Sequence, residues 1–461
     1  MNKITRRDLM KSGLVLSGGM MLSFLDNGKL LANDEFFKEA SNAADIREVH
    51  LVNLSHHDYG YTDLPSSVWD YQVNNIRLAM KYINQTKNYP ADAQFKWTIE
   101  GLWGLERFWK EATDIEKEMF ESMVSSGHIE VTAMPGNMTC LVDSCEWEKE
   151  LDRLKFFYDK FKPAVALQDD VNGLPWGMIE SLLKRDVAYV TMAANGYKGG
   201  KPLPPPSFFW WEGISGKKIL MYNGDGYANG YDYFHTTEWR KGPVPNRYDI
   251  WFNAPSGNEI FSSKKEDILA AHDILTKKLE GLKAKGYSLP VVQLTFTNMW
   301  TIDNDQPCRQ VSEFIKTWNE LNLQPKLTFS TPAQFIGKAK KEFSGNIPTL
   351  KGEWCDWWAD GIAASPFEVS LLQEAKRRNK DIKNAIRYFT PAAPFLASHL
   401  SDLDHQLVFA SEHTWGAYDS VAHPYNARTG GNHAQKFDYF FQADENSKRI
   451  QAEIIRLSDR Y

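Results

Sequence analysis

Four short stretches of this 461-residue chain set histidines and carboxylates beside the ends of apolar runs or helices. Residues 55–63 read SHHDYGYTD and directly follow EVHLVNL (48–54), a run with the β-branched, apolar character of a buried strand. Side-chain direction repeats every second residue in extended backbone. His56 and Asp58 can therefore chelate one ion while His57 faces away; the plainer alternative is a strand-end turn with an Asp cap. LQDDVNGLPWG (167–177) places Asp169 beside Asp170 after another apolar run. Neighbouring strand positions face opposite sides, so one of the two points into a site, unless the pair merely caps a helix start. TIDNDQPC (301–308) offers Asp303 and Asp305 after VVQLTFT (291–297), although turns favour Asp and Asn on their own. ASEHTWGAYDS (410–420) carries Glu412, His413 and Trp415 where a helical stretch ends. A lone His at a helix end is ordinarily a packing residue, and it gains meaning only by completing a set begun elsewhere.

The elements that must position these groups alternate. Strands are expected at 48–54, 95–100, 128–134, 164–168, 187–192, 291–297 and 326–329, with helices at 66–86, after 100 to about Trp109, 114–126, 146–161, 176–184 and 308–321. That alternation predicts an α/β fold: a parallel seven-stranded (β/α) barrel-like domain over 45–345, with its chemistry at the C-terminal strand ends. KPLPPPSFFWW (201–211) and NGDGYANGYDY (223–233) read as rim loops. From Pro366 the pattern changes to helices at 366–389, 392–410 and 433–457, so 346–461 is expected to be a linker and a three-helix bundle. Residues 1–32 carry Arg6 and Arg7 before a short apolar run, with Ala32 as a cleavage position. They resemble a twin-arginine export signal and predict a periplasmic or otherwise exported protein. No later run reaches eighteen apolar residues, so no membrane span is expected after signal removal.

With 53 basic and 59 acidic residues the net charge is −6, which gives non-specific nucleic-acid binding no electrostatic drive. Four cysteines do not make a disulfide scaffold, and without a CxxC a cysteine-built zinc site is not expected. A local Cys140–Cys145 pair in an oxidising compartment is left open. A metal-dependent deacetylase is disfavoured because no H-x-x-x-H pair follows the first motif.

Together the clusters resemble glycoside hydrolase family 38, the zinc-dependent α-mannosidases, over about 46–461. His56-His57-Asp58-Tyr59-Gly60-Tyr61 is similar to the family's H-x-D-x-G-[WY] opening. Trp97 and Glu100 stand in its W-x-E setting, GHIEVTAMPGN (127–137) in its third strand, and Asp170-Val171-Asn172-Gly173 in its D-x-x-G nucleophile segment. His413 is the counterpart of the final ligand. The resemblance implies one Zn²⁺ held by His56, Asp58, Asp170 and His413, a mixed nitrogen and oxygen set that suits zinc. It also implies that Asp170 doubles as the nucleophile of a retaining mechanism on an α-linked sugar, and that Asp303, with Asp305 as the alternative, is the general acid/base. Glu100, Trp97, Tyr61 and Trp415 are the expected substrate-binding residues of a carbohydrate substrate. The chain departs from the family in reading DVNGLPWG for D-P-F-G-H-S and EHTWG for an HDAITG-like run. GEWCDWWADG (352–361) shapes either the sugar site or an interdomain linker, and the family's β-rich domains have no counterpart before Tyr461. These departures keep two alternatives open: a zinc-dependent non-hydrolytic sugar-processing enzyme and a non-catalytic carbohydrate-binding protein.

Overall fold

The computed structural model describes residues 45–458, apart from 172, 196–201, 228–229, 235–260, 298–302, 344, 355–357, 359–361, 389–392 and 419. The expected export segment 1–32 lies outside the described residues. In chain order the first half contains β1 (Glu48–Asn53), α1 (Pro65–Thr86), β2 (Trp97–Ile99), α2 (Leu102–Glu111), α3 (Asp114–Ser125), β3 (Ile129–Val131), α4 (Ser144–Arg153), α5 (Lys155–Phe161), β4 (Val165–Asp170), α6 (Met178–Leu183) and β5 (Tyr189–Ala194). Then follow β6 (Ser207–Glu212), β7 (Lys218–Asn223), α7 (Lys265–Ala284), β8 (Val291–Phe296), α8 (Gln310–Glu320), β9 (Lys326–Ser330), α9 (Pro332–Glu342) and β10 (Thr349–Lys351). Three long helices complete the chain: α10 (Pro366–Ile386), α11 (Ala393–Phe409) and α12 (Ala427–Ser458).

The mixed α/β character agrees with the sequence reading; the expected seven-stranded barrel-like arrangement is not seen as a closed sheet. Among the described residues, ten strands form three separate sheets. β1 lies between β8 and β9, all parallel. β4, β5 and β7 run parallel, β6 turns back antiparallel on β7, and β10 borders β6. β2 and β3 form a parallel pair of three residues each. Such short strands give no edge long enough for a further ladder. Single hydrogen bonds cross the gaps instead: Ala133 N–H donates to the Val165 carbonyl at 2.9 Å, and Phe329 N–H to the Asp92 carbonyl at 2.7 Å. The Tyr222 hydroxyl donates to the Gln293 carbonyl at 3.3 Å.

Two local expectations change. Residues 207–212, expected within a rim loop, form β6, because the aromatic run SFFWWE that follows the prolines has strong strand preference and a neighbouring strand to pair with. The expected helix 146–161 breaks at Leu154 into α4 and α5. β7, α7 and α9 were not expected; α7 buries Ile268, Ala271, Leu275, Leu279 and Leu282 at helical spacing. Cys140, Cys145 and Cys308 form no disulfide.

One apolar core fills the α/β part, with Trp103, Trp147 and Trp318 among its fully buried side chains. A second is shared by Leu372 and Ile382 of α10, Leu403 and Leu407 of α11, and Phe440 and Ile450 of α12. Phe409, the last residue of α11, joins the first core by packing against Tyr59, Trp69 and Trp103. This docking brings residues 410–415 over the strand ends. There Thr139 N–H donates to the Ser411 carbonyl and His413 N–H to the Asn137 carbonyl, each at 3.1 Å. No helix among the described residues is long and apolar enough to cross a membrane.

Candidate metal centre and active site

The loop leaving β1 carries His56 and Asp58, and Asn304 shapes this part of it. Asn304 adopts a left-handed backbone (φ 57°), which Asn tolerates better than most residues. Its N–H donates to the His56 carbonyl at 2.7 Å. Its side-chain oxygen accepts from Asp58 N–H at 3.2 Å and from Gln72 at 2.8 Å, while its amide nitrogen donates to the Asp58 carbonyl at 2.8 Å. The expected opposition of His56 and His57 is present. His57 turns toward the α2 backbone, where a Cβ on Gly104 would lie 3.2 Å from its Cε1. Burial pushes the His57 ring down to about 4, so it stays neutral.

Asp170 ends β4 with φ 66°, a strained conformation for a residue with a side chain. Asn195 holds it there: its N–H donates to the Asp170 carbonyl at 2.8 Å and its side-chain amide to Oδ1 at 2.9 Å. Of the adjacent pair, both buried, Asp169 is the one outside the cluster, accepting from Ala193 N–H at 3.1 Å. Burial, with Glu100 nearby, holds its carboxyl well above the usual carboxylate range.

His56, Asp58, Asp170 and His413 thus meet, all buried, with one ligating atom from each lying within 4.8 Å of all the others. His413 Nε2 lies 3.3 Å from Asp58 Oδ1 and 3.4 Å from Asp170 Oδ2, and His56 Nε2 lies 3.4 Å from Asp58 Oδ1. The donor set fits a metal ion on two observations. Both Nε2 atoms are buried without a hydrogen-bond partner. Each ring also presents its other nitrogen to a carboxylate: His56 Nδ1 to Glu100 at 2.8 Å, and His413 Nδ1 to Glu412 at 2.8 Å. A carboxylate behind a histidine fixes the ring and aims the free nitrogen at an ion. Burial disfavours charge on both rings, yet Glu100 and Asp58 beside His56, and Glu412 and Asp170 beside His413, raise both well above a free imidazole. A divalent cation would stand in for those protons.

Asp303 pairs as an isolated bridge with His56 and receives the Tyr227 hydroxyl at 3.4 Å. Tyr227 packs its ring 4.7 Å from that of His56, and burial with Asp303 and Asp170 nearby pushes its phenol far up. This arrangement puts Asp303 at the site. Asp305 turns its carboxylate to the N–H of Gln306 at 2.7 Å.

The expected sugar contacts fare differently. Glu100 is buried, with one oxygen on His56 and the other on the His57 N–H at 2.5 Å, an arrangement that orients the histidine. Trp97 is buried at the start of β2 and stacks on Phe95 in the core. Trp415 is buried against Phe440 in the helical core. Tyr61 stays at the rim, 37% exposed, beside Tyr418. In the 352–361 stretch, Trp354 pairs with Leu174 and packs on Trp211, while Trp358 donates its indole N–H to the His413 carbonyl at 2.9 Å. Asp356 and Trp357 lie outside the described residues. Asn304 and Asn195 went unread in the sequence; Tyr227 and Trp358 were signalled only by the aromatic, polar stretches 223–233 and 352–361 that carry them. A separate groove of about 910 Å³ between α1, α11 and α12 contains none of the four ligands.

Residues 47–353 match the Glycosyl hydrolases family 38 N-terminal domain, a stretch that includes His56, Asp58 and Asp170. The fold is similar to an alpha-mannosidase from Enterococcus faecalis V583, with TM-score 0.64 and 16% identity over 90% of this chain and 43% of that one. It is also similar to a glycosyl hydrolase family 38 protein from Enterococcus faecalis, with TM-score 0.53 and 15% identity over 90% and 40% of the two chains. This chain therefore spans about two fifths of the length of those proteins, and at such identities the likeness is one of fold. No curated protein matches the sequence. Because the family match runs from β1 past β10 and holds three of the four converging ligands, the chain belongs to glycoside hydrolase family 38.

Proposed function

We propose that this chain is a zinc-dependent retaining glycoside hydrolase acting on α-linked sugars of the α-mannoside type. The buried convergence of His56, Asp58, Asp170 and His413 in a family 38 chain is the observation that carries the reading. When bound, a zinc ion would supply Lewis acidity toward sugar hydroxyl oxygens. Asp170, fixed by Asn195, attacks the anomeric carbon as the bond to the leaving oxygen breaks. Asp303 gives that oxygen its proton. It then takes a proton from the water that displaces Asp170, so the configuration is retained. Tyr227, between Asp303 and the His56 ring, steers the acid, and Tyr61 at the rim faces the incoming sugar. Domain limits of 45–345 and 346–461, and export through residues 1–32, belong to the same proposal.

The test is zinc analysis of the purified chain beside His413→Ala, with hydrolysis of an aryl α-mannoside followed by NMR of the released anomer. About one zinc per chain, lost in the variant, with an α-product formed first, is the expected result. A chain that takes no zinc, or a β-product formed first, overturns it. Export is tested by fractionating cells that express Arg6→Lys/Arg7→Lys, which should retain the precursor inside.

A further inference from the structure

The first two ligands and the last come from loops more than 350 residues apart, and one helix touches both loops. We propose that Asn432 and Lys436 of α12 are positioning residues that hold the His56–Asp58 loop and the His413 loop in register, so that this helix sets the affinity of the site for its metal. The inference rests on the metal reading above and names what that reading leaves out.

The two residues are four apart and therefore share one helix face. Asn432 is fully buried. Its side-chain oxygen accepts from Tyr61 N–H at 3.1 Å, and its amide nitrogen donates to the carbonyls of Tyr61 and Asp63, each at 3.0 Å. All of its side-chain capacity but one lone pair goes into Tyr61 and Asp63 of the loop after Asp58. The approach is close: a Cβ on Gly60, whose φ is +143°, would lie 3.1 Å from the Asn432 oxygen. One turn on, Lys436 is 1% exposed and places Nζ 2.5 Å from Glu412 Oε2. Thr414 donates to that same oxygen through its hydroxyl at 2.5 Å and its N–H at 3.1 Å. The other Glu412 oxygen lies beside His413 Nδ1. A buried ammonium is costly unless paired, so Lys436 fixes Glu412, and Glu412 fixes the ring. Neither residue reaches the cluster itself. Their effect is to remove loop freedom that an ion would otherwise have to freeze on binding.

The experiment measures Zn²⁺ affinity by competition with a chromophoric chelator, and the Zn²⁺-induced rise in melting temperature. The chains are wild type, His413→Ala, Asn432→Ala, Lys436→Gln, Lys436→Arg and the surface control Asp438→Ala. Asn432→Ala and Lys436→Gln are expected to bind zinc about tenfold or more weakly with native circular dichroism, as for other groups that orient ligands. Lys436→Arg should recover most of the affinity, and Asp438→Ala should match wild type. If Lys436→Gln does not fold, Asn432→Ala decides alone. Wild-type affinity in Asn432→Ala, alongside loss of zinc in His413→Ala, overturns the proposal. A wild type that binds no zinc overturns the metal reading itself.

Discussion

At the scale of single residues, the site divides its carboxylates by what each can still reach. Asp170 turns an oxygen to the cluster and Asp303 accepts from Tyr227 beside it, whereas Glu100 and Glu412 each set one oxygen beside a histidine ring and use the other on the His57 N–H or on Lys436 and Thr414. The two groups should fail differently. Asp170→Asn is expected to lower kcat on an aryl α-mannoside by about a thousand-fold or more, since no other group can form the glycosyl intermediate. Asp303→Asn should cost about 10²- to 10⁴-fold, and least for leaving groups that need no proton. Steady-state kinetics across aryl leaving groups of different acidity separate the two. Glu100→Gln should act through metal retention: zinc affinity falls about 10- to 100-fold, and excess zinc restores kcat. Unrestored activity in saturating zinc would return Glu100 to a direct role on substrate. The four ligands were legible as residues because each stands beside a recognisable run end. Glu100 was legible only as an acid in the W-x-E setting of the family resemblance, and its partner could not be read, since the His56 ring it contacts is 44 positions away.

At the scale of elements, the strand exits depend on close backbone approach. A Cβ at Gly101 would sit 2.8 Å from the Pro135 carbonyl oxygen, a backbone atom that cannot swing aside. Gly101→Ala should therefore destabilise the fold by about 1–3 kcal/mol and, because it follows Glu100, weaken zinc binding as well. A urea melt and the chelator competition read the two effects separately. β1 carries a further dependence on pH. His50 is buried against Ser330, and burial pushes its ring down to about 4. In the unfolded chain the ring protonates near 6.5, so between those values the unfolded state binds more protons. Stability from this group is complete above about pH 6.5 and is lost as pH falls toward about 4. Urea midpoints taken at pH 7, 5 and 4 should decline in wild type and decline less in His50→Gln. The strands and helices around these points were largely readable from periodicity. β6 was hidden because prolines announce a loop before an aromatic run that pairs only when β7 is beside it. The break at Leu154 was hidden because residues on both sides of it have ordinary helical character.

For the whole molecule, metal, protons and the docking of the helical region are linked. The metal-free His56 and His413 rings hold protons well above the usual imidazole range, so an ion must displace them. Zinc affinity should accordingly rise with pH, by up to about tenfold per unit for each proton displaced. Isothermal titration in buffers of different ionisation enthalpy counts the protons released; an affinity flat from pH 6 to 8 would remove the linkage. Chelation should also lower the melting temperature of the entire chain, because His413 reaches the cluster only while α11 and α12 sit on the α/β part. The sequence by itself determined the α/β alternation, the late change to helices and the four ligand types, because periodicity, propensity and strand-end chemistry are local properties. Only the tertiary structure decided that the strands stay in three sheets, that Trp97 and Trp415 are core, and that Asn304, Asn432 and Lys436 hold the ligand loops. Those outcomes turn on which distant backbone edges and polar atoms meet, and no window of neighbouring residues contains that information.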